Sequence, residues 1–220
     1  MHAALTDVQP RIANAARLAG RKPNTITLVA VTKTHAADAI APLLTAGHRH
    51  FGENRVQEAQ GKWPALRERY PDIVLHGVGQ LQSNKAEDAV ALFDVLHAVD
   101  RPSLVTTLLR AMDKLGRRPP CFIQVNIGDE PQKGGCPVAD LPGLLTHARE
   151  LPVAGLMAVP PADVEAAPYH ALLAKLARDH GLGQLSMGMS DDYETAVTLG
   201  ATHVRVGSAL FGAREQGAPA

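Results

Sequence analysis

The sequence has no excess of charge of either sign: Lys and Arg together number 22, as do Asp and Glu, and the two signs are interspersed. With no broad basic surface to attract a nucleic-acid backbone or an anionic lipid, neither is an expected partner. Long apolar runs are missing too. The opening MHAALTDVQPRIANAARLAG carries charges where a signal peptide needs an apolar core, and no later run reaches membrane-spanning length. Cysteine is scarce, with only Cys121 and Cys136 and no C-x-x-C spacing. That suits a reducing compartment and predicts a cytoplasmic protein whose two thiols are structural. Metal-ligand spacing is absent: His48 and His50 form an H-x-H pair without a cysteine or carboxylate in register. They read as core or surface histidines, and no metal is expected.

What is present is a regular alternation. Leu5, Val8, Ile12, Ala15, Ala16 and Leu18 recur at helical spacing before Gly20, so the chain is expected to begin with a helix within residues 1–20. ITLVAV (26–31) is short, β-branched and apolar throughout, as a parallel strand buried on both faces should be. Strand and helix then repeat: RHFGEN, IVLHGVG, FDVLHAVD, CFIQVNI, VAGLMAV, QLSMGM and HVRVG are each followed by a helical pattern. Eight such units in 220 residues predict a single (β/α)8 barrel of the TIM type with an extra N-terminal helix, one domain over 1–220. A doubly wound sheet is the alternative, but the first strand is not followed by the G-x-G-x-x-G turn that such a fold uses for dinucleotides. The closing EQGAPA (215–220) reads as a frayed tail.

In a barrel the carboxyl ends of the strands form one face and carry the site. The residues there include Lys33 and Thr34, then Glu53, Asn54 and Arg55, then Gln80 to Lys85, and last Ser186, Ser190, Arg205, Gly207 and Ser208. The loops after the seventh and eighth strands are a recurrent phosphate site in barrels. There Gly207 lets backbone approach an anion, while Ser190 and Ser208 offer hydroxyls. A serine before a helix is also explained by capping alone. Likewise a strand-end lysine such as Lys33 can simply be solvated, although desolvation at a barrel mouth can make one a nucleophilic amine. The combination of Lys33, Arg205 and the cup of Ser190, Gly207 and Ser208 favours a phosphorylated aldehyde.

These residues stand in short motifs: VAVTKTH, FGENRVQEAQGK, HGVGQLQSNK, VNIGDEPQKGG, GLMAVP, LSMGMSDDYETAV and HVRVGSALFGAR. In order and spacing they resemble the YggS/PROSC family of pyridoxal 5′-phosphate (PLP) homeostasis proteins over nearly the whole chain. That family's fold is similar to the N-terminal barrel of alanine racemase. The resemblance implies that Lys33 carries PLP as an internal aldimine, that Ser190, Gly207 and Ser208 hold its phosphate, and that Arg205 faces the pyridine nitrogen. An arginine cannot accept that nitrogen's proton, so the ring is a weaker electron sink than opposite an aspartate. Asn54 and Met157 are implied to lie near the ring, and barrel packing explains either as well. Three departures stand out: Thr32 where serine is common, Gln80 for the proline usual before LQSNK, and a short stretch between Pro160 and Leu185.

The expected function is therefore a monomeric PLP carrier that supplies apo-enzymes, with no catalytic residue of its own. A PLP-dependent amino-acid racemase is the alternative, and a barrel for some other phosphate metabolite is a third. Racemisation needs a base on each face of the carbanion. The chain stops after its eighth unit, and Tyr70, Tyr169 and Tyr193 all fall in or beside predicted helices. Lys85 reads as a solvated helix-start lysine, with a second anion or PLP as its functional alternative.

Overall fold

The computed structural model describes residues 3–212. The predicted tail at 215–220 lies outside them. Helix α1 (Ala3–Leu18) comes first. Eight barrel strands follow: β1 (Thr27–Val31), β2 (His50–Glu53), β3 (Val74–Gly77), β4 (Val95–Val99), β5 (Cys121–Asn126), β6 (Val153–Met157), β7 (Gln184–Ser186) and β8 (His203–Val206). Between them run α2 (Ala37–Thr45), α3 (Val56–Arg69), α4 (Ala86–Leu92), α5 (Pro102–Leu115), α6 (Leu141–His147), α7 (Ala167–Asp179), α8 (Tyr193–Thr198) and, last, α9 (Ser208–Phe211).

Each strand pairs in parallel with its sequence neighbours, β8 returns to β1, and β4 pairs with β5 to close the ring. The closed (β/α)8 barrel is thus the fold, and the open sheet is not. A two-residue strand at Cys136–Pro137 adds to β5 from the loop that follows it. Among the described residues no helix is long and apolar enough to cross a membrane.

Strand alternation sets two cores. Outward residues such as Leu28, Ala30, Phe51, Leu75 and Val204 meet Ile40, Trp63, Leu104 and Leu173 of the helices in one continuous apolar layer. Helix α1 survives an internal Pro10 because Leu5, Val8, Ile12, Ala15 and Ala16 bury a complete face. Cys121 and Cys136 lie free in this layer, and burial pushes both thiols up to about 12.

The barrel interior is different. Where branched aliphatics usually fill such a space, this one contains histidines: His76 and His97 are fully buried, and His203 lies with its ring 6.0 and 5.8 Å from theirs. The β4–β5 register shifts between Leu96 and Val99. Through that irregularity both His97, stacked 4.6 Å from the Phe122 ring, and Ala98, in a small cluster with Phe122 and Met157, face inward.

Candidate functional site

Lys33 stands two residues beyond β1, and its neighbours on both sides are tied to the next strand–helix unit. Thr32 Oγ1 donates to Glu53 Oε1 at 2.6 Å, and Lys62 Nζ of α3 donates to Thr32 O at 2.9 Å. Thr34 N donates to Glu58 Oε1 at 2.6 Å. Lys62 also binds Glu53 and Glu58 at 2.8 and 3.2 Å, and Trp63 Nε1 donates to Glu53 Oε1 at 2.9 Å. One buried carboxylate thus gathers a hydroxyl, an ammonium and an indole behind the lysine. Thr34 is held at φ 66°, a left-handed conformation that costs a β-branched residue about 1–3 kcal/mol. The clamp of Glu58 and Lys62 is what keeps it there.

Glu53 is fully buried and Lys62 nearly so. Truncating Glu53 to Ala takes the acceptor from the buried Trp63 indole and leaves Glu58 as the one carboxylate bound to Lys62, so Glu53→Ala is expected to cost about 1–3 kcal/mol of stability. A urea unfolding series checks this, and a loss below about 1 kcal/mol would contradict it.

Across the mouth, the turn after β7 meets the start of α9. Ser190 does not cap α8, whose N-cap position is Asp192; its Oγ instead accepts the backbone N–H groups of Gly207 at 3.3 Å and Ala209 at 3.2 Å. Asp192 meanwhile accepts Met189 N at 2.5 Å and pairs with His170 Nε2 at 2.9 Å, fixing the turn that carries Ser190. Gly207 has φ −118°, so glycine there supplies space for close approach and not an unusual backbone. His35 stacks on Phe211 at 4.4 Å, joining the lysine loop to α9.

Arg205 rises from β8 below these loops and is 5% exposed. Its Nη1 donates to Ser186 Oγ at 2.6 Å and its Nη2 to Ala158 O at 2.9 Å, neither of them a carboxylate. Burial pulls the guanidinium down to about 10, with the charge of Asp192 opposing.

Lys33, Asn54, Ser190, Arg205, Gly207 and Ser208 all line one cavity of about 500 Å³ at the carboxyl ends of the strands. Met157 is the predicted site residue that the structure does not bring there. It is 2% exposed and packed against Ala98 and Phe122, since the β6 register directs it into the barrel interior. An adjoining cavity of about 510 Å³ shares Asn54 and is lined by Arg55, Gln80, Gln82 and Lys85, the last bonded to Asp88 at 3.4 Å. Gln80 lies over Gly134, where a Cβ would fall 1.9 Å from its Nε2, so a glycine in the PQKGG loop makes room for that departure. Among the described residues no group of three or more His, Cys, Asp and Glu side chains is placed to hold a metal ion.

This arrangement matches known proteins. The family model for the alanine racemase N-terminal domain covers residues 7–215. A pyridoxal phosphate homeostasis protein of Pseudomonas aeruginosa is 43% identical, across 98% of this chain and 96% of its own. The chain belongs to the pyridoxal phosphate homeostasis protein family. A pyridoxal phosphate homeostasis protein of Escherichia coli K12 is 39% identical over 96% of this chain and 95% of that protein. PipY of Synechococcus elongatus, solved with PLP bound, is 42% identical with TM-score 0.76, covering 91% of this chain and all of PipY. An alanine racemase of Clostridium difficile shares the fold at TM-score 0.68 and 16% identity, across 96% of this chain and 57% of the enzyme.

Glu58 and Lys62 were not singled out by sequence reasoning. Glu58 and Lys62 sit four apart on a helix, a spacing that ordinarily marks a solvated face. Only the proximity of α3 to the end of β1 reveals them.

Proposed function

We propose that this chain binds PLP covalently through Lys33, retains it reversibly and passes it to apo-enzymes, with no substantial catalysis of its own. The observation that carries the reading is the convergence of Lys33, Ser190, Arg205, Gly207, Ser208 and Asn54 on one cavity. Its donor set fits the cofactor. Ser190 Oγ is held by the backbone N–H groups of Gly207 and Ala209 at the cavity wall, where its hydroxyl is placed for a phosphate, and a buried guanidinium bonded to no carboxylate lines the same cavity. PLP brings an aldehyde. Lys33 Nζ, as the amine, gives up two hydrogens that leave with the carbonyl oxygen as water, and a C=N bond to Lys33 remains.

Lys33 and Ser190 are half-buried and Ser208 is exposed, which favours exchange over the water exclusion that carbanion chemistry requires. Among the described residues no tyrosine lines the cavity; Tyr193, for example, is buried under Arg11. The PLP-bound relative and the homeostasis proteins support the same reading.

Two measurements test it. Mixing the loaded protein with an apo PLP-dependent enzyme is expected to restore that enzyme's activity, and with alanine alone to give no enzyme-like inversion. Lys33-dependent inversion at an enzyme's rate would overturn the carrier reading. Separately, Ser190→Ala is expected to weaken PLP about tenfold, roughly 1.4 kcal/mol, and to leave pyridoxal, which lacks the phosphate, unaffected. Equal weakening of both ligands would remove Ser190 from the phosphate site.

A further inference from the structure

Below the cavity an unbroken run of hydrogen bonds crosses the barrel interior. Arg205 Nη1 reaches Ser186 Oγ at 2.6 Å, Ser186 Oγ lies 2.8 Å from His97 Nδ1, His97 Nε2 lies 2.9 Å from His76 Nδ1, and His76 Nε2 lies 3.1 Å from His50 Nδ1. The side chains come from β8, β7, β4, β3 and β2 in turn. Ser186, His97 and His76 are at most 1% exposed. His50 is partly exposed and lines a separate pocket with His48, Gln9 and Ile12.

The direction of this run follows from its first member. A guanidinium has only donors, so Ser186 Oγ must accept from Arg205. The hydroxyl hydrogen of Ser186 then has one acceptor within reach, His97 Nδ1. That leaves the His97 proton on Nε2, from which it is donated to His76 Nδ1, and the same step repeats from His76 Nε2 to His50 Nδ1. The opposite polarity would leave a fully buried hydroxyl without an acceptor. His203 stands outside the run and bonds Thr202 Oγ1 at 2.9 Å.

We propose that the Ser186 hydroxyl and the neutral imidazoles of His97, His76 and His50, each of the three protonated on Nε2, form a one-way column that positions Arg205 under the cavity. Burial independently favours the neutral form, holding His76 and His97 well below the ordinary imidazole range and lowering His50. The column gives Arg205 a buried acceptor that carries no charge, so its positive field is left uncancelled from below. In the PLP-binding reading, on which this consequence rests, that field disfavours a proton on the ring nitrogen. These four are positioning residues that act through Arg205.

The test is long-range ¹⁵N–¹H correlation NMR on ¹⁵N-histidine-labelled protein without PLP at neutral pH, with signals assigned by single His→Gln variants. His50, His76 and His97 are expected as neutral rings carrying hydrogen on Nε2. A proton on Nδ1, or a charged ring, at any of the three overturns the column. In PLP-loaded protein, Ser186→Ala is expected to shift the pH midpoint of the imine absorbance by at least about half a unit, and an unmoved midpoint overturns the positioning role. Should Ser186→Ala fail to fold, the wild-type tautomers still decide. A column found in protein that takes no label on Lys33 would fail the function and spare the column; a labelled Lys33 with mixed tautomers would do the reverse.

Discussion

Lys33→Ala is expected to abolish the imine absorbance of PLP-treated protein and to lower PLP retention at least about 100-fold, roughly 2.7 kcal/mol. The expectation rests on the division of labour at the site. In the function we propose, Ser190, Gly207 and Ser208 hold the phosphate and remain after the substitution, whereas the covalent tether belongs to Lys33 alone. The clamp around this segment uses the Thr32 side chain and the main chain at Thr32 and Thr34, so those contacts remain in the variant. Circular dichroism of the variant checks that it is folded. A reducible absorbance that persists in Lys33→Ala would contradict the assignment and move the tether to another amine, such as Lys85 in the adjoining cavity.

Acid is the second large effect. Burial pulls His48 and His203 down to about 4 from 6.5, so between these values the unfolded chain binds more protons than the folded one. Stability therefore rises with pH across that window; it is fully present above about 6.5 and is lost as pH falls toward 4. Each displacement corresponds to roughly 3 kcal/mol at the acid end, and His76 and His97 are lowered as well. Against a typical domain stability of about 5–15 kcal/mol, protons on these rings suffice to unfold the barrel. Urea midpoints are expected to fall steeply from pH 6.5 to 4, the limits set by these same two groups. A flat profile there would show that the interior histidines can be charged without cost.

The barrel was legible because its signal is local: apolar β-branched runs alternate with helical spacing, and both periods are written residue by residue. That Lys33, Arg205, Gly207 and Ser208 line one cavity was legible for a related reason, since strand ends share one face once the fold is known. Ser190 was found with its partner unforeseen. The choice between capping α8 and reaching Gly207 and Ala209 depends on how two loops meet. Met157 went the other way, because alternation along β6 and the β5–β6 register, not the motif, decide which side chain faces the cavity. The histidine column was out of reach. Its members are scattered from residue 50 to 186, and His97 faces inward beside Ala98 only because the β4–β5 register shifts there. Glu58 and Lys62 were hidden by looking like any exposed i, i+4 pair.

The central claim is that Lys33 tethers PLP over a cup built from the last two strand–helix units. Incubating the protein with PLP, reducing it with borohydride and mapping the peptides by mass tests this most directly. The account predicts one pyridoxyl-phosphate adduct, on the peptide containing Lys33; an unmodified Lys33, or an adduct confined to another lysine, would contradict it.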